Sequence, residues 1–337
     1  MLPDRGLAAK VAFLSQPASY AEATRHVEVV QTHMSWVFLT RRHAFKLKKP
    51  VRTGYLDYGT VSARRRLCAE EVRLNRRFGP DVYLGIVPLT VDSAGQLHLD
   101  GEGRAVDWVV KMRRLPTGRM LDHAIREGTV RDASVRGVVD VLWRFYRQCP
   151  PIRMSGTSYR SRLARGIAAN RRALGRPEYR LAPDAFAPTC ARLLATLANA
   201  PELFDARVQG GRIVEGHGDL RPEHICLTRE PQIIDCLEFS RPFRILDIAD
   251  ELAYLGLECE RLGAPSFTRR LFGTYARHSG DVVPEALVGF YQASRACLRA
   301  KIALWHLDDP GPRDGRVWIE KAHAYLALAR EHAARVR

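Results

Sequence analysis

No stretch of this 337-residue chain approaches the ~18 consecutive apolar residues that a membrane-spanning helix needs, so no membrane role is expected. A secretory leader is missing too. Met1 to Gly6 lack its layout and the apolar segment 8–14 is broken by Lys10, so the expected compartment is the cytoplasm. The seven cysteines are scattered, odd in number and form no C-x-x-C, which argues against bridges or a zinc site and for buried thiols. Internal repeats and low-complexity tracts are absent. Acidic residues are in short supply: 37 Asp and Glu face 53 Lys and Arg, a net charge of +16. Such a field favours anionic partners, whether nucleotides, acidic metabolites, nucleic acid or lipid headgroups. An arginine excess also follows from composition bias alone. With 46% hydrophobic and 27% charged residues the chain is of ordinary folded composition, and its length predicts one or two domains around a large core.

The first third alternates like a sheet. Residues 6–14 read as a helix ended by Pro17, and residues 27–32, 36–40 and 44–48 as three strands of a meander. Lys46 and Lys48 leave the same face of the third strand, because side chains alternate. The turn Thr32-His33-Met34-Ser35 contains no glycine. Residues 60–78 read as a helix whose buried arc holds Leu67, Leu74 and Phe78. Glu71 lies inside that arc and Glu70 at its margin. A carboxylate on a buried stripe needs a cationic partner, and Arg64 on the same helix is one choice. Residues 82–90 and 97–99 are predicted strands, and 106–112 is apolar enough to be central.

The remainder reads as helical: 122–127, 134–149, 188–200 ended by Pro201, 283–307, and a closing helix over 314–334 after a break at 308–312. In the fourth of these, Tyr291, Leu298, Ile302 and Trp305 share a face. Residues 153–180 carry eight arginines and one acid, Glu178. That is the pattern of a solvated helix face, or of a dock for an anion.

The most informative stretch is 215–239. Residues 225–228 and 232–235 read as short strands around Arg229-Glu230-Pro231, a β-hairpin. Its expected register places Ile225 opposite Asp235, give or take one residue, so His224 and Asp235 lie side by side with Asp219 just before them. Clustered acids repel, and a metal ion with phosphates offsets that cost. A His–Asp pair bracing a loop, with Asp219 as a cap, is the alternative.

His217-Gly218-Asp219-Leu220 followed by Asp235 resembles the core of the aminoglycoside phosphotransferase and choline kinase type of protein-kinase-like enzyme. The resemblance implies an α+β, bilobal fold, with a small antiparallel-sheet lobe carrying one main helix (1–115) and a larger, mostly helical lobe carrying the catalytic hairpin (116–337). It implies Asp219 as the catalytic aspartate that accepts the hydroxyl proton and Asp235 as a metal ligand, with His224 standing where the family has a metal-binding asparagine. Ala44-Phe45-Lys46 matches the strand of the ATP lysine. Lys46 is then paired with Glu71, and Ser35 is the phosphate contact of the first turn. Met112-Arg113-Arg114-Leu115-Pro116-Thr117-Gly118 resembles the hinge, with Met112 preceding the adenine-binding segment and backbone groups of Arg113 and Leu115 reading adenine. Asp247 resembles the aspartate that anchors the catalytic loop. The implied cofactors are ATP and Mg²⁺, with Mn²⁺ an alternative because imidazole suits softer ions.

The expected function is ATP-dependent phosphorylation of a small-molecule hydroxyl, in an oligomeric state the sequence leaves open. The acids of residues 247–260 suggest a pocket for a cationic substrate, whereas the global field repels polycations. The alternatives are a catalytically impaired nucleotide-binding module and, further off, a nucleic-acid-binding protein.

Overall fold

β-branched and aromatic residues build the first sheet, and small and aliphatic residues build the helices that follow. A computed structural model describes residues 6–53, 56–308 and 315–336. In chain order it begins with α1 (Leu7–Leu14), β1 (Glu28–Gln31), β2 (Ser35–Leu39), β3 (His43–Lys48), the short pair β4 (Arg52–Thr53) and β5 (Leu56–Asp57), and α2 (Val61–Asn75). Then come β6 (Tyr83–Val91), β7 (Leu97–Leu99), β8 (Arg104–Arg113) and α3 (Leu121–Arg126). The helical part holds α4 (Asp132–Gln148), α5 (Gly156–Leu174), α6 (Ala187–Asn199), α7 (Pro201–Gln209) and β9 (Ile213–Glu215). The hairpin β10 (Ile225–Cys226) and β11 (Gln232–Ile233) leads to α8 (Arg241–Arg244), β12 (Ile245–Asp247), α9 (Ile248–Arg261), α10 (Phe267–Ser279), α11 (Glu285–Trp305) and α12 (Gly315–Ala334). No helix among the described residues is long and apolar enough to cross a membrane. Residues 309–312 of the expected helix break lie outside the described residues.

Two compact units result. The first comprises the chain up to Ala124 with Glu223–Phe243, and the second Ile125–Pro222 with the chain from Arg244 onward. The sequence-based division at 115/116 put the hairpin with the second part. Its contacts are with the first, because its side chains are bound there.

The first unit is a six-stranded antiparallel sheet in the order β1-β2-β3-β8-β6-β7, with β8 central as its apolar run predicts. Leu14 of α1 packs with Phe38, Leu47, Leu89 and Val109 in one apolar cluster, while Cys68 and Val72 of α2 pack with Ala44, Val110 and Met112 in another. Thr60 caps α2 by accepting from the Ala63 N–H at 3.1 Å. Lys10, which interrupts the apolar run of α1, is buried and lies 3.0 Å from Asp107. Arg64 forks onto the same Asp107 at 2.8 Å, so it is not the partner of Glu71.

In the second unit α5, α6, α7, α9, α11 and α12 share one core. Pro201 does not merely end α6; it opens α7, where its missing N–H costs nothing. The face expected for α11 is also corrected. Tyr291 is buried as expected, but Leu298, Ile302 and Trp305 are only partly buried, and the residues packed inside are Leu287, Phe290 and Leu304 together with the small Ala293, Ala296, Cys297, Ala300 and Ala303. Small side chains let α12 approach closely, a choice that a reading weighted by side-chain size misses. Of the seven cysteines, all free, six are buried. On α5, Arg165, Arg171 and Arg172 are exposed and Arg160 pairs with Asp205, as in a solvated helix face.

Candidate active site

In the first unit, β3 sends both its lysines toward Glu71, which α2 holds fully buried. Lys46 Nζ lies 2.9 Å from Glu71 Oε1 and 2.6 Å from Asp235 Oδ1. Lys48 donates to the other Glu71 oxygen and to Glu238, which also accepts from Tyr58. Burial alone would lower both lysines. For Lys46, Asp235 and Glu71 reverse this and hold the ammonium well above its usual range. For Lys48, Glu238 and Glu71 do the same. Burial would raise Glu238, but Lys48 and Lys46 bring it below its ordinary value. Glu70, the neighbour of Glu71, sits on the surface and pairs with Arg73.

The chain reaches this cluster through a backbone that few residues adopt. Asp235 has φ 62°, a left-handed conformation that aspartate tolerates better than most residues. Its N–H donates to Tyr83 Oη at 3.0 Å and the next N–H, of Cys236, to Asn75 Oδ1 at 2.9 Å. The hairpin register differs from expectation: Ile225 pairs with Ile233, and the Ile234 N–H donates to the His224 carbonyl at 2.9 Å. His224 and Asp235 still meet, with Nε2 3.4 Å from Oδ2, because the left-handed turn at Asp235 brings its side chain back.

Among the described residues, no group of three or more His, Cys, Asp or Glu could hold a metal ion. His224 and Asp235 therefore do not form a complete cage. They offer one carboxylate and one imidazole, whereas Mg²⁺ commonly takes one or two carboxylates plus phosphates and water and imidazole suits softer ions.

The remaining expected residues of this unit lie on the sheet. Met112 is buried near the end of β8. The Arg113 N–H is used by the Val82 carbonyl at 2.8 Å. Leu115, past the strand, donates no backbone hydrogen bond among the described residues. Ser35 opens β2 across from Lys48, is buried, and its N–H donates to Thr32 Oγ1 at 3.0 Å.

The second unit carries Asp219 on the loop after β9. Tyr254 donates to Asp219 Oδ1 at 3.0 Å and Arg221 Nε to Oδ2 at 3.1 Å. The Asp219 N–H donates to His217 Nδ1 at 3.2 Å. One carboxylate oxygen of Glu251 accepts the N–H groups of His217 at 2.8 Å and Gly218 at 2.7 Å. The two loop glycines are required. Gly218 has φ 84°, and a Cβ on Gly216 would lie 2.7 Å from Glu251 Oε2.

Asp247 caps α9 and is forked by Arg207, at 2.8 and 2.9 Å. The loop anchor is thus Glu251, one turn further on, and not Asp247. The acids of 247–260 do not form an open anionic pocket either. Asp250 is bound by Arg295 through two 2.7 Å bonds, Glu258 by Arg299, Arg261 and Tyr325, and Glu260 by His332.

Sequence reasoning missed Glu238, Tyr58, Tyr254 and Glu251. Glu238 was visible as an acid three residues after Asp235 in an otherwise apolar run. Glu251 was visible as an acid one helical turn from Asp247.

Solved structures similar to this one include proteins named as small-molecule kinases. A choline/ethanolamine kinase family protein from Mesorhizobium loti superposes with a TM-score of 0.55 at 18% identity, covering 98% of each chain. The aminoglycoside phosphotransferase APH(2")-IIia, in complex with GDP and kanamycin, gives 0.55 at 16% identity, covering 98% of this chain and 99% of that one. Plasmodium vivax ethanolamine kinase gives 0.53 at 8%, covering 90% and 82%. The chain therefore has the α+β kinase-like fold of the choline kinases and aminoglycoside phosphotransferases, as its motifs imply.

Its curated relatives include uncharacterized proteins of Mycobacterium tuberculosis (strain ATCC 25618 / H37Rv) and Mycobacterium bovis (strain ATCC BAA-935 / AF2122/97). Each is 32% identical over 279 residues, 82% of this chain and 54% of theirs, so the chain spans about half the length of the curated relatives it matches. No protein-family model matches it.

Proposed function

We propose that the chain is a phosphotransferase that moves the γ-phosphate of ATP to a hydroxyl of a small molecule in the cytoplasm. The observation that carries this reading is the convergence of Lys46, Glu71 and Asp235 at 2.6–2.9 Å, the ion-pair set that positions nucleotide phosphates in kinases. The likeness to small-molecule kinase structures supports it.

In this reading Lys46, oriented by Glu71, clamps phosphate oxygens. The Leu115 N–H and the Arg113 carbonyl read adenine, Met112 precedes them, and Ser35 faces the phosphates from the first turn. Asp235 and His224 would hold the nucleotide's divalent ion. That ion, when bound, neutralises charge on the transferring group. On the acceptor side, Asp219 aligns the hydroxyl and takes its proton as the oxygen attacks phosphorus. Tyr254 and Arg221, one on each carboxylate oxygen, fix its orientation.

Replacing Asp219 by Asn keeps the shape and removes the base. Turnover should fall by about 10²-fold or more, while the ATP-dependent rise in thermal midpoint persists. Wild-type turnover in Asp219→Asn would remove Asp219 from the mechanism. A midpoint that ATP with Mg²⁺ or Mn²⁺ never shifts, in wild type as in Asp235→Ala, would remove the nucleotide site itself. The second reading, nucleotide binding without transfer, is favoured by the lack of a third metal-ligating side chain beside His224 and Asp235 among the described residues. It predicts the shift without turnover.

A further inference from the structure

Six of the seven cysteines are buried, and two of those six meet each other. Cys190 lies near the start of α6 and Cys297 past the middle of α11, and the two helices share one core. Their side chains are 0% and 1% exposed, and the two thiols are hydrogen-bonded to each other.

The pair is asymmetric. The Cys297 thiol donates to the Cys190 sulfur and brings Cys190 below its ordinary value, although burial opposes this. The Arg171 guanidinium, on α5, acts in the same direction. A place near a helix N-terminus favours a thiolate as well. Cys297, as the donor, is held well above its usual range. Elsewhere burial prevails: it pushes Cys68 up to about 12 and raises Cys226. The geometry thus sets a nucleophile, Cys190, against a second thiol placed to attack it once it is oxidised.

The nucleophile is buried but not deep. Ala187 and Leu194, three residues before Cys190 and four after, share its face of α6. Both line an open groove of about 480 Å³ between α5 and α6, and Arg171 lines it with them. Cys190 therefore lies one layer beneath a surface that a small oxidant reaches.

We propose that hydrogen peroxide converts Cys190 and Cys297 to a disulfide, and that this bridge disturbs the loop of Asp219 and slows phosphoryl transfer. The Cys190 sulfur attacks one peroxide oxygen. An S–O bond forms, the O–O bond breaks, and the second oxygen leaves with the Cys190 proton as water. The Cys297 sulfur then gives up its proton and attacks Cys190. The S–S bond forms and the hydroxyl leaves with that proton as a second water. Two thiols lose two electrons and two protons, and one peroxide becomes two waters. A dithiol reductant reopens the bridge by exchange.

The effect on Asp219 follows from what flanks Cys297. Arg295, two residues before it on α11, binds Asp250 through two 2.7 Å bonds and lies 5.0 Å above the Tyr254 ring. Arg299, two residues after it, holds Glu258. Tyr254 in turn donates to Asp219. A covalent link in place of a hydrogen bond draws α11 toward α6, and both arginines move with it. The slowing rests on the phosphotransferase reading; the bridge rests on the two thiols alone.

The test treats the reduced full chain with hydrogen peroxide and reads intact mass, free thiols, disulfide-linked peptides, amide exchange over residues 215–221 and ADP release from ATP with a panel of small alcohols. The mass should fall by about 2 Da and the free thiols from seven to five, with one linked peptide pair holding Cys190 and Cys297. Exchange in the loop should rise, ADP release should fall about tenfold or more, and dithiothreitol should reverse both. Cys297→Ser should form no bridge and leave a Cys190 sulfenic acid that dimedone captures. Cys190→Ser should give neither bridge nor adduct.

Seven thiols surviving peroxide overturn the proposal, and the wild-type chain alone decides this. So does oxidation confined to Cys149, the one cysteine that is not buried. A Cys190–Cys297 bridge that alters neither loop exchange nor ADP release overturns its effect on Asp219. A bridge that raises loop exchange, in a chain that releases no ADP even when reduced, upholds the coupling and removes the transfer reading instead.

Discussion

Glu71 holds two ammonium groups with its two oxygens, and Glu238 supplies the second charge that Lys48 needs. Lys48 is fully buried, so its charge survives folding only through these partners. Glu238→Gln should therefore cost about 3 kcal/mol in urea denaturation. The double variant Lys48→Met/Glu238→Gln should recover part of that loss, because neither charge then remains alone. If the two substitutions simply add, the pair is not what holds this region.

Lys301 is a different case. No carboxylate among the described residues meets it, it lies over the Trp305 ring at 4.9 Å, and burial lowers it from 10.5 to about 8. Its folded value is depressed, so the unfolded chain binds more protons between those two values. Stability should then rise with pH from 8 to 10.5. Lys301→Met should flatten that rise and raise stability at neutral pH by on the order of 1 kcal/mol after screening. An unchanged slope in urea titrations at several pH values would contradict the assignment.

The loop between β9 and α9 depends on a missing side chain. Glu251 lies against Gly216, and a methyl group there would sit 2.7 Å from its oxygen. Gly216→Ala should displace the carboxylate that holds the His217 and Gly218 amides. The expected result is a stability loss of about 1–3 kcal/mol and a fall in kcat with nucleotide KM unchanged. A fall in nucleotide affinity instead would place the damage elsewhere.

At this scale the chain was only partly legible. The meander, α2 and the central β8 announced themselves through periodicity, and the burial of Glu71 through its place on the helix wheel. The hairpin register did not, because it depends on the φ of 62° at Asp235, a tertiary demand that no local pattern records. The face of α11 was misread because alanines carry little weight in a hydrophobic stripe, although they decide how near α12 can lie. Asp250, Glu258 and Glu260 of α9 find partners on α11 and α12, far along the chain, so their neutralisation could not be inferred from a locally acidic segment.

For the whole molecule the net charge of +16 is a field rather than a contact. Raising ionic strength until the Debye length shrinks from about 10 Å to about 3 Å should raise the KM for ATP several-fold and leave kcat alone. A KM that ignores salt would leave the arginine excess without a role in nucleotide capture.

The way the chain is threaded has its own effect during synthesis. The first unit draws Asp235 and Glu238 from far downstream of its sheet. Until they emerge from the ribosome, Lys46 and Lys48 have only Glu71 between them. At ordinary translation rates this leaves the nascent sheet without its last two anionic partners for on the order of ten seconds. For that interval it is a client for chaperones, and a stop codon placed after the sheet should yield aggregate rather than a small folded domain.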